Sequence, residues 1–140
     1  MLSPLPAAGH ILAYAQTLQG GGVERALLRL ARGWIGLGRR VTLVLGRASG
    51  PLAAELPDGI ELVELGASSL LGLRTLADVV RERRPDVVFC PGNHYTGIAA
   101  LLRFRLGHAC PPIVAKVSNR LKRADQPGVV ALGYLSLIHI

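Results

Sequence analysis

The amino-acid sequence predicts an α/β fold in which helices cover both faces of a parallel sheet. Apolar runs of strand length alternate with segments whose apolar residues recur at helical spacing. A glycine run, Gly20, Gly21 and Gly22, lies between the first strand-like run and the first helical segment. Half of the 140 residues are hydrophobic and 18% are charged, which excludes an intrinsically disordered chain. This alternation predicts one domain with right-handed crossovers between parallel strands.

The first half of the chain predicts strands at residues 11–15 and 41–45, with a long helix between them. The helix follows the glycines and ends near Gly38, because glycine suits a helix C-terminus. A helical turn is predicted at residues 52–56. Residues 60–65 alternate with period two and have acidic residues on one face, which predicts a strand near the sheet edge. The apolar stripe of the long helix consists of Val23, Leu27, Leu30, Trp34 and Leu37.

The second half of the chain predicts two further strands. Residues 73–84 form a helix that ends at Pro85, and residues 87–90 form a continuous apolar strand of the kind that is buried on both faces. Residues 96–106 predict another helix, and residues 113–117 a fifth strand.

The net charge of +7 is unevenly distributed. A basic C-terminal part favours anionic partners, such as phosphates, acidic glycans or a lipid surface, or else it is a solvated basic face. Aromatic residues make up only 4% of the chain, which argues against a stacking surface for nucleic acid. Beyond residue 101 a single acid, Asp125, stands against Arg103, Arg105, Lys116, Arg120, Lys122 and Arg123.

The chain shows no signal for secretion or membrane insertion. Cys90 and Cys110 lack metal-ligand or disulfide spacing, so we predict no metal site and a reduced, cytoplasmic setting. Pro4 and Pro6 interrupt the apolar N-terminus, which argues against a signal peptide. No apolar run approaches about 20 residues. The expected location is the cytoplasm, with possible contact at the inner face of the membrane.

Five segments, in this order and spacing, resemble the N-terminal domain of retaining family-4 glycosyltransferases. Such a domain is the Rossmann-like half of the two-domain GT-B fold. Two positions depart from the widest family pattern, since Arg39 and Asn119 stand where many members have histidine. The matching segments are GGVER at 21–25, GRRVTLV at 38–44, LPDGI at 56–60, RPDVV at 84–88 and PIVAKVSN at 112–119.

The resemblance implies transfer of a sugar from a nucleotide-sugar donor to a hydroxyl acceptor, a glycan or a lipid-linked molecule, with retention of configuration. Gly20, Gly21 and Gly22 would face the donor diphosphate and stabilise charge on the leaving group. No metal or other cofactor is expected. The second domain, which normally grips the nucleotide, would be missing. Residues 1–134 would then be an incomplete acceptor-side domain, which we expect to be inactive as an isolated fragment.

Sheet geometry adds candidate acceptor contacts, because ligands bind at the carboxyl ends of parallel strands. His94 is the catalytic candidate: it would orient the acceptor or the donor sugar, or else it is a loop histidine bonded to nearby backbone. Asn93 is either a ligand contact or a helix N-cap. The candidates follow the fourth and fifth strands: Asn93, His94, Tyr95, Ser118, Asn119 and Arg120.

The last six residues, LSLIHI, have a separate explanation. They match the translation of CTGTCTCTTATACACATC, the mosaic-end adapter of transposase-based sequencing libraries. We therefore expect residues 135–140 to be adapter-derived and leave them out of the fold prediction.

Two other classes remain open. An NADP-dependent oxidoreductase would also have a strand, a glycine turn and a helix, and Arg47 after the second strand could meet a 2′-phosphate. The glycine run is not GxGxxG, however, and four residues separate it from the first strand. The third class is a non-catalytic module that binds a sugar or a nucleotide.

Overall fold

The computed structural model describes residues 9–66 and 75–116. Five parallel strands form one sheet in the order β3-β2-β1-β4-β5, which confirms the predicted α/β, Rossmann-like fold class. The strands are β1 (His10–Ala15), β2 (Arg40–Leu45), β3 (Glu61–Glu64), β4 (Val87–Cys90) and β5 (Ile113–Ala115). The helices are α1 (Gly22–Gly36), α2 (Leu76–Arg83) and α3 (Thr96–Leu106), with 3₁₀ turns at Pro51–Glu55, Asn93–Tyr95 and Gly107–Ala109.

The strand order reverses between β1 and β4. The chain moves outward from β1 to β3, and then returns past β1 to β4 and β5. Because crossovers between parallel strands are right-handed, α1 covers one face of the sheet and α2 and α3 cover the other. Trp34 of α1 packs edge-on against Phe89 of β4, with ring centroids 5.1 Å apart. The central strand β1 is buried along its whole length, as the apolar run predicts.

Helix α1 ends in a Schellman motif, at the place that the sequence indicates. The amide of Gly38 donates to the carbonyl of Ile35 at 2.9 Å, and the amide of Arg39 donates to the carbonyl of Trp34 at 3.0 Å. Gly38 has φ +80°, a backbone conformation that residues other than glycine rarely adopt. The chain then enters β2 directly.

Some predicted boundaries shift by a few residues. The alternating segment forms an edge strand as predicted, although it spans only Glu61–Glu64. The fifth strand is three residues long, and residue 117, its predicted end, lies outside the described residues. The predicted start of α2 at residue 73 also falls outside them. The helical turn predicted at residues 52–56 is the 3₁₀ turn Pro51–Glu55.

A polar network lies at the amino ends of β1, β2 and β3. The imidazole Nε2 of His10 lies 2.7 Å from the Thr42 hydroxyl, and His10 is only 8% exposed. The Thr42 hydroxyl donates to Glu61 at 3.4 Å, and Arg40 pairs with Glu61 at 2.9 Å. Arg83 of α2 also pairs with Glu61. This network joins three neighbouring strands at the end of the sheet opposite the predicted site.

Candidate functional site

The candidate site lies where the strand order reverses, at the carboxyl ends of β1 and β4. In open parallel sheets, ligands bind in the crevice at this point. The glycine turn follows β1, and the segment 91–95 follows β4. The fold therefore brings the predicted phosphate turn and the first group of predicted acceptor contacts to one edge of the sheet.

The glycine turn leads directly into α1. Gly20 has φ +116°, whereas Gly21 is the N-cap with φ −75° and ψ 162°. The first helical bond runs from the Arg25 amide to the Gly21 carbonyl at 3.1 Å. Because the N-cap is glycine, it has no side chain that could bond the first-turn amides. The first-turn amides and the positive end of the helix dipole therefore present an anion-binding surface.

Gly92 sets the distance between the β4 side and α1. A Cβ atom at Gly92 would lie 3.0 and 3.1 Å from the two methyl groups of Val23, which is tighter than normal packing. Gly92 is extended, with φ −173°, so the glycine is needed for space rather than for backbone conformation. The absence of a side chain lets the segment after β4 pack directly on the first turn of α1.

Asn93 begins a 3₁₀ turn and does not cap a helix. The N-cap of this turn is Gly92, and that of α3 is Tyr95. The carbonyl of Asn93 accepts a hydrogen bond from the Thr96 hydroxyl at 2.8 Å. The N-cap alternative is therefore wrong, because the extra 3₁₀ turn displaces the start of α3. Asn93 as a ligand contact stays a prediction.

Tyr95 is predicted to contact the acceptor, which would require an accessible side chain, but it lies in the core. Its side chain is fully buried, and its ring meets the Tyr14 ring edge-on with centroids 5.7 Å apart. The Tyr95 hydroxyl accepts from the Gln16 amide at 2.9 Å and donates to Glu24 Oε1 at 3.2 Å. An acceptor could reach the ring only if Tyr95 left the core.

Glu24, part of the GGVER segment, is not among the site residues that the sequence predicts. It is acidic and lies in the first turn of α1, where a carboxylate favours the helix dipole without any ligand. The structure adds its bond to Tyr95, which lies 71 positions away in the sequence. An acid two positions after the glycine run is visible in the sequence, but nothing local indicates its partner.

The remaining candidates are His94 and the three residues that follow β5. The backbone of His94 lies in the Asn93–Tyr95 turn, at the predicted edge. Ser118, Asn119 and Arg120 lie outside the described residues. That these three share the edge with the glycine turn stays a prediction.

The buried polar groups at this edge are held in their neutral forms. Burial raises the pKa of the Tyr14 and Tyr95 hydroxyls above the usual range, since desolvation disfavours the phenolate. Burial likewise raises the pKa of the Cys90 thiol, which donates to the Gly92 carbonyl at 3.6 Å. These groups therefore serve as fixed hydrogen-bond donors rather than as nucleophiles.

The described residues hold neither a metal-binding cluster nor a membrane-spanning helix. No three His, Cys, Asp or Glu side chains within residues 9–66 and 75–116 group together in a way that could hold a metal ion. Among the helices in the same ranges, none has the length and apolar character needed to cross a bilayer.

Known proteins similar to this chain bear on what such a site could do. A search of curated proteins finds no significant match. Among solved structures, the chain is similar to a short-chain dehydrogenase from Leptospira borgpetersenii serovar Hardjo-bovis (strain JB197) with bound NAD⁺, at 11% sequence identity and a TM-score of 0.48. The match covers 94% of this chain and 62% of the dehydrogenase chain. A family model, "Glycosyl transferase 4-like domain", matches residues 21–132. Because this match spans most of the sequence, the chain belongs to the glycosyl transferase 4-like domain family.

Proposed function

We propose that this chain is the acceptor-side half of a retaining glycosyltransferase. The enzyme would move a sugar from a nucleotide-sugar donor to a hydroxyl group of a glycan or a lipid-linked acceptor, without a metal or another cofactor. Residues 1–134 would form this half, followed by six adapter-derived residues, and a second domain of the full-length protein would hold the nucleotide.

One observation carries the proposal. In this member of the family, the start of α1 contacts the segment that follows β4, at the point where the strand order reverses. The α1 amides would bind the donor diphosphate, and their dipoles would stabilise charge that grows on the leaving phosphate. His94 and Asn93, which follow β4, would contact the acceptor, together with Ser118, Asn119 and Arg120.

The family match favours transfer over the other two classes. An NADP-dependent oxidoreductase would need Arg47 near its cofactor. The position of Arg47, exposed at the carboxyl end of β2, is compatible with that role. The glycine spacing, however, does not fit a dinucleotide turn. A non-catalytic binding module would bind the same ligands as a transferase but would not turn them over. The test below therefore distinguishes the two.

The test uses the full-length gene product with its second domain. We expect it to release nucleoside diphosphate from one member of a panel of UDP-, GDP- and ADP-sugars, faster when acceptor is present. The anomeric coupling constant of the product, measured by NMR, tests retention. Tight binding of a nucleotide sugar without release would favour the binding module, and binding of NADP⁺ alone would favour the oxidoreductase.

Two variants of that protein test the assigned residues. Gly21→Val should reduce turnover strongly while changing the melting temperature little. The new side chain would block approach of the diphosphate and displace the Glu24 carboxylate, whereas φ −75° suits any residue. His94→Ala should reduce turnover or acceptor affinity, with a melting temperature within a few degrees of wild type. Unchanged activity of Gly21→Val at saturating donor would refute the phosphate role.

We also propose a peripheral contact between α3 and an anionic lipid surface. Phe104 is 85% exposed and Leu101 37%, and exposed Arg103 and Arg105 flank them on the same helix. Exposed aromatic and basic side chains together suit the interface of an acidic bilayer. Co-sedimentation with phosphatidylglycerol vesicles should fall in Phe104→Ser, whereas pure phosphatidylcholine vesicles should not bind either protein.

A further inference from the structure

The Tyr95 hydroxyl joins three segments at the candidate site. Tyr95 belongs to the turn after β4, Gln16 follows β1, and Glu24 lies in the first turn of α1. The hydroxyl has a single proton, which it donates to Glu24 Oε1 at 3.2 Å. It accepts its other bond from the Gln16 amide at 2.9 Å, since a backbone N–H can only donate. One buried atom therefore connects both sides of the strand reversal.

The Glu24 carboxylate also contacts the glycine turn. Its second oxygen, Oε2, lies so close to residue 21 that a Cβ atom there would overlap with it. Gly21 has φ −75°, a value open to any residue, so glycine here provides space rather than conformational freedom. The Glu24 carboxylate fills part of the space beside Gly21 and packs against the glycine turn, which precedes Glu24 in the sequence.

The Tyr95 ring itself is fixed. The Tyr14 hydroxyl donates to the Tyr95 carbonyl at 3.3 Å, and the two rings stand almost perpendicular, at 87°. Both side chains are fully buried, so the Tyr95 hydroxyl has little freedom to move. The glycine turn thus contacts, through Glu24, a rigid part of the core, which is how a binding geometry is set before the ligand arrives.

We propose that Glu24 and Tyr95 are positioning residues that hold the glycine turn in its phosphate-binding geometry and in fixed relation to the turn carrying Asn93 and His94. This inference rests on the proposed function, and it assigns roles to two side chains that would touch neither donor nor acceptor. Their effect on transfer would act through the first-turn amides of α1.

The first experiment measures amide hydrogen exchange and needs no enzyme activity. The reporter is the Arg25 amide, whose bond to the Gly21 carbonyl closes the first turn of α1. We expect it to exchange about tenfold faster in Tyr95→Phe and Glu24→Ala, the loss expected for one hydrogen bond to a charged group. Glu24→Gln keeps an acceptor oxygen but loses the charge, so its Arg25 amide should exchange more slowly than that of Glu24→Ala.

A matched control removes a neighbouring hydroxyl. Tyr14→Phe deletes a phenolic hydroxyl from the same ring pair, without touching Glu24. It should accelerate Arg25 exchange less than Tyr95→Phe does, because the edge-on ring contact with Tyr95 and the Tyr95–Glu24 bond both remain. Wild-type exchange at Arg25 in both Tyr95→Phe and Glu24→Ala would overturn the proposal, as would equal acceleration in Tyr14→Phe. If Tyr95→Phe fails to fold, the comparison of Glu24→Ala with Glu24→Gln decides alone.

The second experiment measures kcat/KM for the nucleotide sugar that the full-length protein uses. We expect losses of about tenfold in Tyr95→Phe and Glu24→Ala, and no greater loss in the double variant, because residues of one network do not act additively. Fully additive losses would overturn the positioning role. If wild type itself transfers no sugar, the proposed function fails, while the exchange experiment still tests the Glu24–Tyr95 contact.

Discussion

Gly20 and Gly22 lie two positions apart in the same turn, yet they tolerate a side chain differently. Gly20 has φ +116°, and a Cβ atom there would meet nothing within 4 Å, so only its backbone conformation demands glycine. A Cβ atom on Gly22, the first residue of α1, would also meet nothing within 4 Å, and its φ lies outside the left-handed region.

These two positions give the first prediction. Gly20→Ala should lower the free energy of unfolding by about 1–3 kcal/mol, the usual cost of a disfavoured backbone conformation. Gly22→Ala should leave it unchanged or raise it by about 0.4–1 kcal/mol, because alanine reduces the entropy of the unfolded chain. Urea unfolding measures both. Equal destabilisation by the two variants would mean that the turn does not have this conformation.

His10 gives the second prediction at the scale of single residues. Burial, followed by the charge of Arg40, lowers its pKa from the ordinary 6.5. The unfolded chain therefore takes up a proton at a higher pH than the folded chain does. The stability that neutral His10 contributes is complete above pH 6.5 and is lost as the pH falls through the lower, folded pKa.

Urea unfolding checks this expectation over a range of about pH 5 to 8, which spans the titration of a histidine. Wild type should lose stability toward the acidic end, and His10→Gln should show a flatter profile, because glutamine can bond Thr42 without titrating. The difference between the two proteins isolates His10 from the other histidines. Parallel profiles would contradict the buried, neutral state of His10.

At the scale of elements, the contact between α1 and the turn after β4 depends on Gly92. A Cβ atom there would press on the Val23 methyl groups at 3.0 and 3.1 Å. We expect Gly92→Ala to destabilise the protein by about 1 kcal/mol, at the lower end of the cost of overpacking. In a Val23→Ala background the same change should cost less.

A double-mutant cycle measures that difference. Urea unfolding of the two single variants and the double variant should give a coupling of at least about 0.5 kcal/mol. Additive effects would show that the turn after β4 adapts without moving α1. Transfer activity of the same set would then report whether this separation matters to the site.

The elements were largely predictable from sequence, and the contacts between them were not. The apolar runs of β1 and β4 and the stripe of α1 produce periodic signals that a sequence displays directly. The placement of β4 beside β1 is a non-local choice, and so is the Tyr95–Glu24 bond across 71 positions. Tyr95 looked like a loop residue because its burial depends on Tyr14 of a distant strand.

At the scale of the whole molecule, polar groups lie at both ends of the sheet but serve different purposes. At the amino ends, His10, Thr42 and Glu61 are paired with one another and with arginines. At the carboxyl ends, the N-cap of α1 is Gly21, which has no side chain to bond the first-turn amides. The amides at a helix start bind anions, and in the proposed function the donor diphosphate would be that anion.

The last prediction concerns the 140-residue chain itself. We expect it to transfer no sugar from any nucleotide-sugar donor, although its glycine turn is formed. In the proposed enzyme the donor lies between two domains, and closure excludes water, so that the α1 dipoles act in a low dielectric. On the isolated chain the same amides face solvent, where their interaction with phosphate is weak.

The comparison is between this chain and the full-length gene product, assayed for release of nucleoside diphosphate at equal concentrations. Activity should be confined to the full-length protein, and the Gly21→Val change should abolish most of it there. Measurable transfer by the purified 140-residue chain would contradict the two-domain site. It would mean that the strand reversal of this sheet, with Gly20, Gly21 and Gly22 on one side and Asn93 and His94 on the other, suffices to bind both substrates.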